Sequence, residues 1–309
     1  MKRIYRVCFA LLLGLSMTAC GTSSQASGET MTITDVKGEV EIPKEPNKIV
    51  DLSGNSDILS ILGYRVSGTA NSDAYDYTKF PSYLETTLQG AEILGYSMQD
   101  TMDIEAVMKL EPDLIISSTV QEKMYDQLSA IAPTVMVKNE ALNWKEDIRN
   151  LANVFQKEDK AEEWIKAYEE KAETIGKQIK AAYGESTTYL SFLASGGQFF
   201  VFTQAGFGDV LYTDLGLAKP AALPQQSDIS LPVVTYEGLA EIKADTIFLI
   251  TTTEMKAELD ANSIWNHLDA VKNKRVVSLQ SSPYFNQGYS PIGRDLLLDE
   301  IKGMLDENL

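Results

Sequence analysis

The stretch DKAEEWIKAYEEKAETIGKQIKAA, residues 159–182, decides how the rest of the chain is divided. Its apolar or small residues Ala161, Trp164, Ile165, Tyr168, Ala172, Ile175, Ile179 and Ala182 recur at spacings of one, three and four, with charges at most other positions. That spacing predicts one amphipathic helix. At 1.5 Å per residue it would run roughly 36 Å, about the width of a domain. Such a helix divides the chain into an upstream and a downstream part.

Both flanks alternate strand and helix patterns. Upstream, a hairpin is expected over 31–36 and 39–42 around a Lys37-Gly38 turn, then strands at 48–52, 65–69, 113–117 and 134–137. Helices at 56–62, 104–109 and 121–131 are interleaved with them. Downstream, strands are expected at 186–193, 199–202, 246–250 and 275–279. Short strands spaced by helices imply βαβ units and mainly parallel sheets. The expected fold is therefore α/β, two Rossmann-like lobes joined by one long helix with a ligand cleft between them. Its parts are an N-terminal lobe over 31–155, a linker helix over 156–184 and a C-terminal lobe over 185–309. An internal echo supports the division: EAVMKLEPDLI at 105–115 aligns with EGLAEIKADTI at 237–247, each a glutamate-led helix passing through an aspartate into a strand.

The start of the chain reads as an export signal. Lys2, Arg3 and Arg6 precede an apolar stretch over 7–15 that is too short to span a membrane. LSMTAC at 15–20 resembles the lipobox of bacterial lipoproteins, with Met17 at the usual leucine position. The resemblance implies a signal peptide over 1–19, lipid on Cys20 and an extracytoplasmic protein anchored to the outer face of the cell membrane. Cys8 leaves with the leader and Cys20 is consumed, so the exported part forms no disulfide of its own. Residues 20–30, rich in Ser and Gly, suit a flexible tether.

The formal charge of −17 argues against a nucleic-acid partner and suits a solvated acidic surface. A single histidine, His267, cannot build an exported zinc or manganese site alone, so no metal ligand set is expected. An enzyme is disfavoured because no serine sits in a nucleophile-elbow pattern and no Gly-rich phosphate loop precedes a helix.

With these features in place, the chain resembles the iron-siderophore and cobalamin group of ABC-importer substrate-binding proteins. The resemblance rests on VEIPKEPNKIV at 40–50, IEAVMKLEPDLI at 104–115, WKEDIRNLA at 144–152 with KAEEW at 160–164, and IWNHLDAVKNKRV at 264–276. Within that group it is most similar to the ferric hydroxamate receptors of Gram-positive bacteria. The resemblance implies a monomer that captures a ferric siderophore and presents it to a permease with a cytoplasmic ATPase. It also implies that Glu105 and Glu237, one per lobe, meet arginines of the permease. Each glutamate can instead simply complement the dipole of its own helix. The siderophore brings the ferric ion's donor atoms, so no directly bound cofactor is implied. Cobalamin and haem are the alternative cargoes.

The composition of the expected cleft loops bounds the ligand. Catecholate and citrate-type ferric complexes are strongly anionic and need clustered guanidinium or ammonium groups. Beyond the leader the only arginines are Arg65, Arg149, Arg275 and Arg294, and only Arg294 lies near an expected cleft loop, where Asp295 or Asp299 is an alternative partner. The loops instead offer Tyr75, Tyr77, Tyr96 with Ser97, Ser118 with Thr119, Phe207, Tyr284, Phe285, Asn286 and Tyr289. Aromatic area with a few directed hydrogen bonds suits a compact complex of low charge, such as ferrichrome or ferrioxamine. Each of these aromatics can equally serve as packing. One departure stands out: some hydroxamate receptors carry a tryptophan and an arginine where this chain has QAGFG at 204–208.

Overall fold

The computed structural model describes residues 29–140 and 142–308. The leader, Cys20 and most of the expected tether lie outside the described residues. Among those described, no helix is long and apolar enough to cross a membrane.

A hairpin opens the fold, β1 (Thr30–Asp35) paired antiparallel with β2 (Gly38–Pro43). The Asp35 carboxylate accepts from the Lys37 and Gly38 amides at 2.7 and 3.0 Å and from the Met136 amide at 2.6 Å. One side chain thus closes the turn and ties the hairpin to the first lobe.

That lobe is built on β3 (Ile49–Asp51), β4 (Val66–Thr69), β5 (Glu92–Ile93), β6 (Leu114–Ser118) and β7 (Thr134–Val137), in the order β5-β4-β3-β6-β7 with every pair parallel. All five residues of β6 are buried, as expected of a central strand covered on both faces. Separate apolar clusters fill the two faces, one around Ile49, Ile116 and Leu151 and one around Val50, Ile115 and Leu128.

The second lobe holds β8 (Tyr189–Ser195), β9 (Gln198–Phe202), β10 (Val233–Val234), β11 (Thr246–Thr251) and β12 (Val276–Gln280), ordered β10-β9-β8-β11-β12. Here the pairing is mixed: β8, β11 and β12 run parallel, but β8-β9 and β9-β10 are antiparallel. The cause is local. Gly196 and Gly197 both take positive φ, 58° and 74°, which is what a tight two-residue hairpin turn requires.

The linker helix is Glu158–Tyr183. It buries Ala161, Ile165, Tyr168, Ala172, Gly176 and Ile179, and passes from the first lobe's core into the second's. Trp144, Trp164 and Tyr168 form an aromatic cluster where the two cores meet, with ring centroids 4.9–6.1 Å apart. The C-terminal helix Pro291–Asn308 packs on the linker, on β12 and on the helix Ser56–Ile61 of the first lobe, so it too bridges the lobes.

The expected helix at 121–131 is broken in two, a 3₁₀ segment Thr119–Met124 followed by Tyr125–Ser129. Gln121 leaves helical geometry because its amide donates to the Ser97 and Gln99 carbonyls at 2.7 and 2.8 Å. Its carbonyl oxygen meanwhile accepts from the Ser118 amide and hydroxyl.

The internal echo has a common cause. Asp113 accepts from the Asn47 and Lys48 amides at 2.8 and 3.0 Å, and Asp245 accepts from the Thr188 amide at 2.8 Å. In each lobe the aspartate after the short helix pins the chain just before the lobe's first strand.

Candidate functional site

The carboxyl ends of the parallel strands in both lobes open onto one cavity of about 710 Å³. Its walls come from the segments just after β3 (Ser53, Gly54, Asn55, Asp57), β4 (Asn71, Ser72), β5 (Tyr96, Ser97) and β7 (Asn139, Glu140), and from the last residues of β6 (Ser118, followed by Thr119) and β8 (Ser195). Ligands of open α/β sheets bind at such ends, because the loops there are free to carry function while the strands stay packed. The volume falls in the range, roughly 300–1,000 Å³, of small-molecule sites.

Hydrogen bonds among the lining residues hold this wall. Asn71 donates to the Gly54 carbonyl at 2.8 Å and accepts from the Ser56 amide at 3.1 Å, and Asn55 donates to Asn139 at 2.9 Å. Gly54 sits at φ 87° with Ser97 against it; a Cβ there would lie 2.7 Å from the Ser97 hydroxyl. Beneath the wall the buried Asp51 accepts from the Ser53 and Ser56 hydroxyls, and burial raises its pKa.

The opposite wall belongs to the second lobe. It is formed by Phe200, Gln204, Gly206, Asp209, the helix Ser281–Gln287 through Phe285 and Asn286, and the turn after it that carries Tyr289 and Ser290. The backbones of Gly206 and Gly288 approach so closely that a Cβ on Gly288 would lie 2.5 Å from the Gly206 carbonyl carbon. This contact sets the height at which Tyr289 and Phe285 face the cavity.

Eight of the residues singled out in the sequence line the cavity: Tyr96, Ser97, Ser118, Thr119, Phe285, Asn286, Tyr289 and Arg294. The Ser118 hydroxyl is already engaged, donating to Gln121 and accepting from the Val120 amide. Tyr96 has its pKa raised by burial, with a hydrogen bond to Asn286 acting against the rise. Four others lie elsewhere. Phe207 is fully buried against Phe248 in the second lobe's core, an outcome its apolar neighbours Val210 and Leu211 favour. Tyr284 packs on that same core. Tyr75 and Tyr77 are about half exposed beside the cavity, Tyr75 edge-on to Phe285 and Tyr77 stacked on Tyr96.

Arg294 is 3% exposed and doubly ion-paired, to Asp214 at 2.6 Å and Asp209 at 2.7 Å. Burial opposes its charge, but the two carboxylates outweigh it and hold the guanidinium protonated. Tyr168 of the linker donates to the same Asp214 oxygen at 2.6 Å. Asp295 and Asp299 are not its partners; both bind Lys171 of the linker, at 3.0 and 2.9 Å. The guanidinium lies over Trp144, 4.9 Å from the ring centroid. A tryptophan and an arginine do meet in this cavity, but from the helix Trp144–Val154 and the C-terminal helix rather than from QAGFG.

Residues not singled out in the sequence also line the site, notably Asp57, Asn71, Tyr83, Trp144 and Asp147. Asn71 and Asp57 come soon after the ends of β4 and β3, and that position was the signal available for finding them; Tyr83, Trp144 and Asp147 sit on helical segments and carried no such signal. Burial pushes the Asp57 carboxyl up to about 6 against a hydrogen bond from Ser290, and pushes Asp147 up to about 7 with help from Glu140 and Asp57.

Glu105 and Glu237 lie away from this cavity. Both are exposed in the first turns of short helices, Ile104–Lys109 capped by Asp103 and Tyr236–Glu241 capped by Thr235. Glu237 has its pKa lowered by the amide and hydroxyl donors around it. His267 closes another short helix, its Nδ1 2.6 Å from the Ser263 carbonyl. Among the described residues no group of three or more His, Cys, Asp or Glu converges as a metal site.

Two α/β sheets, one connecting helix and a cavity walled by both lobes define a two-lobed substrate-binding protein. Residues 54–283 match the pattern of the periplasmic binding protein family, and the chain belongs to that family. It is 31% identical to the iron(3+)-hydroxamate-binding protein FhuD of Bacillus subtilis, with 92% of each chain covered. It is 30% identical to the iron(3+)-hydroxamate-binding protein YxeB of the same organism, over 98% of this chain and 97% of that one. A solved Bacillus subtilis structure, described as the FhuD-fold component of a Fep/Fec-like ferrichrome ABC transporter, superposes with a TM-score of 0.72. It is 28% identical, over 88% of this chain and 99% of that one.

Proposed function

We propose that this protein is the substrate-binding component of an ABC importer and captures a ferric siderophore of the hydroxamate class, such as ferrichrome or ferrioxamine, between its lobes. The observation that carries the reading is the state of Arg294. It is the only cation among the lining residues, and its charge is already met by Asp209 and Asp214. An anionic catecholate or citrate complex would enter a cavity with no uncommitted positive group in its described lining. A complex whose iron charge is balanced by its own hydroxamates needs none. Tyr96, Phe285 and Tyr289 supply apolar area, and Asn286 and Asn71 supply directed hydrogen bonds. The names of the relatives FhuD and YxeB point to the same class of cargo.

In this reading the lipid on Cys20 keeps the monomer at the outer face of the membrane, close to a permease served by a cytoplasmic ATPase. Glu105 and Glu237 dock against permease arginines. Charge-assisted pairs on two separate lobes report whether the lobes have the right relative placement.

The test is a tryptophan-fluorescence titration of the protein without its lipid, since Trp144 lies in the cavity wall. Ferrichrome, ferrioxamine, a ferric catecholate, ferric citrate, cobalamin and haem are compared. Saturable quenching strongest for a hydroxamate complex is expected; preference for any of the other four overturns the assignment.

A further inference from the structure

The loop 73–79 stands at the edge of the cavity, between Ser72 and Pro81, which both line it. The loop is closed on itself: the Asp73 amide donates to the Lys79 carbonyl at 2.8 Å, and the Lys79 amide to the Asp76 carbonyl at 3.0 Å. Tyr75 and Tyr77 project from it, and each touches an aromatic that does line the cavity. Tyr75 is edge-on to Phe285 of the second lobe with centroids 6.0 Å apart, and Tyr77 stacks on Tyr96 of the first with centroids 5.1 Å apart. The four rings form a rim drawn from both lobes.

Asp73 ties this rim down on both sides. One carboxylate oxygen accepts from the Tyr75 and Asp76 amides at 2.7 and 3.2 Å, which shapes the loop. The other accepts from the hydroxyl of Ser282, on the helix Ser281–Gln287 that carries Phe285 and Asn286. A carboxylate can serve all three donors at once, whereas alanine serves none. The residue is buried, so water does not readily replace a lost donor. We infer that Asp73 is a positioning residue for cargo capture: without touching the ligand, it holds Tyr75 and Tyr77 in register with Phe285 and Tyr96, and the rim so assembled slows the escape of the bound complex. Rings fixed in advance lose little freedom on contact, and a gain of that kind is read mainly in the rate of release. This role rests on the reading of the cavity as the ligand site, not on which complex fills it.

Dissociation constants and release rates for ferrioxamine B are measured on the parent, Asp73→Ala, Asp73→Asn, Ser282→Ala, a Tyr75→Ala/Tyr77→Ala variant and the triple variant that adds Asp73→Ala to it, with thermal melts to establish folding. Asp73→Ala is expected to weaken binding about tenfold, mostly through faster release, while Asp73→Asn, which keeps an oxygen for the loop amides, stays within about threefold of the parent. In the background lacking both tyrosines, Asp73→Ala is expected to add less than about twofold, because a residue that acts through the rim has nothing left to position. A lower melting temperature with unchanged affinity and release, or the full loss persisting without the tyrosines, overturns the inference and leaves a merely structural aspartate. Should Asp73→Ala not fold, Ser282→Ala decides, since it cuts only the tie to the second lobe: release faster by about threefold or more supports the role, and unchanged release overturns it. If ferrioxamine B and ferrichrome do not bind but another complex of the titration panel does, the hydroxamate assignment falls, and the same comparison with that complex still judges Asp73. If none of the six binds, the capture reading and this role fall together.

Discussion

Asp147 carries its carboxyl half-buried, with one amide donor and the charges of Glu140, Asp57 and Glu146 nearby, so its proton is held up to about 7. The sign of the consequence is set by linkage. A carboxyl whose folded pKa lies above its unfolded value near 3.8 contributes stability fully below that value and loses it as pH rises through about 7. Asp57, raised to about 6, acts in the same direction. Asp147→Asn should therefore match the parent near pH 4 and exceed it by roughly 1–2 kcal/mol at pH 8, after allowance for solvent screening. Thermal melts from pH 4 to 8 measure this; a difference independent of pH would contradict it. Arg294 gives the opposite case. Arg294→Met leaves Asp209 and Asp214 buried without their cation and should cost about 3–5 kcal/mol in urea unfolding. A loss under 1 kcal/mol would mean that water replaces the guanidinium easily. The sequence placed Arg294 near the cleft but could not name its partners, which lie 85 and 80 positions away. The neighbouring Asp295 points to a different helix face, since adjacent helical residues do not face each other.

Elements were legible where their cause is local. The linker helix, the glutamate-led helices and their strands arise from periodicity and caps within a few residues, and they recur within a residue or two of the expected bounds. The hairpin of β8 and β9 turns on Gly196-Gly197, a local feature that the expectation of mainly parallel strands passed over. The break at Gln121 was not legible, because its cause is a bond to Ser97, 24 positions away. Gly176 shows how an element's own preference and its packing compete. In an isolated helix Gly→Ala gains about 1 kcal/mol. Here a Cβ on Gly176 would lie 2.1 Å from the Leu215 carbonyl oxygen, so the linker and the second lobe would have to separate. Gly176→Ala is expected to destabilise the protein by about 2 kcal/mol or more, the usual cost of overpacking outweighing the gain in propensity. Denaturant midpoints decide the sign, and a stabilised variant would show that this contact yields freely.

At the scale of the whole molecule, the linker is not the only tie between lobes. Ser290 donates to Asp57 at 2.5 Å and Ser282 donates to Asp73, tying the helix Ser281–Gln287 and the turn after it to the first lobe. That helix then packs on both the linker and the helix Ser56–Ile61. None of these long-range ties was readable from local pattern, and they place residues 281–294 of the expected C-terminal lobe against the N-terminal one. A stiff 26-residue helix and a second bridging helix resist wide hinge motion, which needs a few residues free to absorb large backbone changes. Ligand should therefore close the lobes only modestly, and the face bearing Glu105 and Glu237 should be nearly preformed. Paired labels on the two lobes, measured by pulsed electron resonance with and without a ferric hydroxamate, are expected to shift by a few ångströms or less. Rotation by tens of degrees would refute the stiff-linker mechanism. If the preformed face is what the permease reads, Glu105→Lys with Glu237→Lys should abolish uptake by whole cells while the purified protein still binds its ligand, because neither side chain lines the cavity. Full uptake by the doubly reversed protein would return both glutamates to the lesser role of complementing their own helix dipoles.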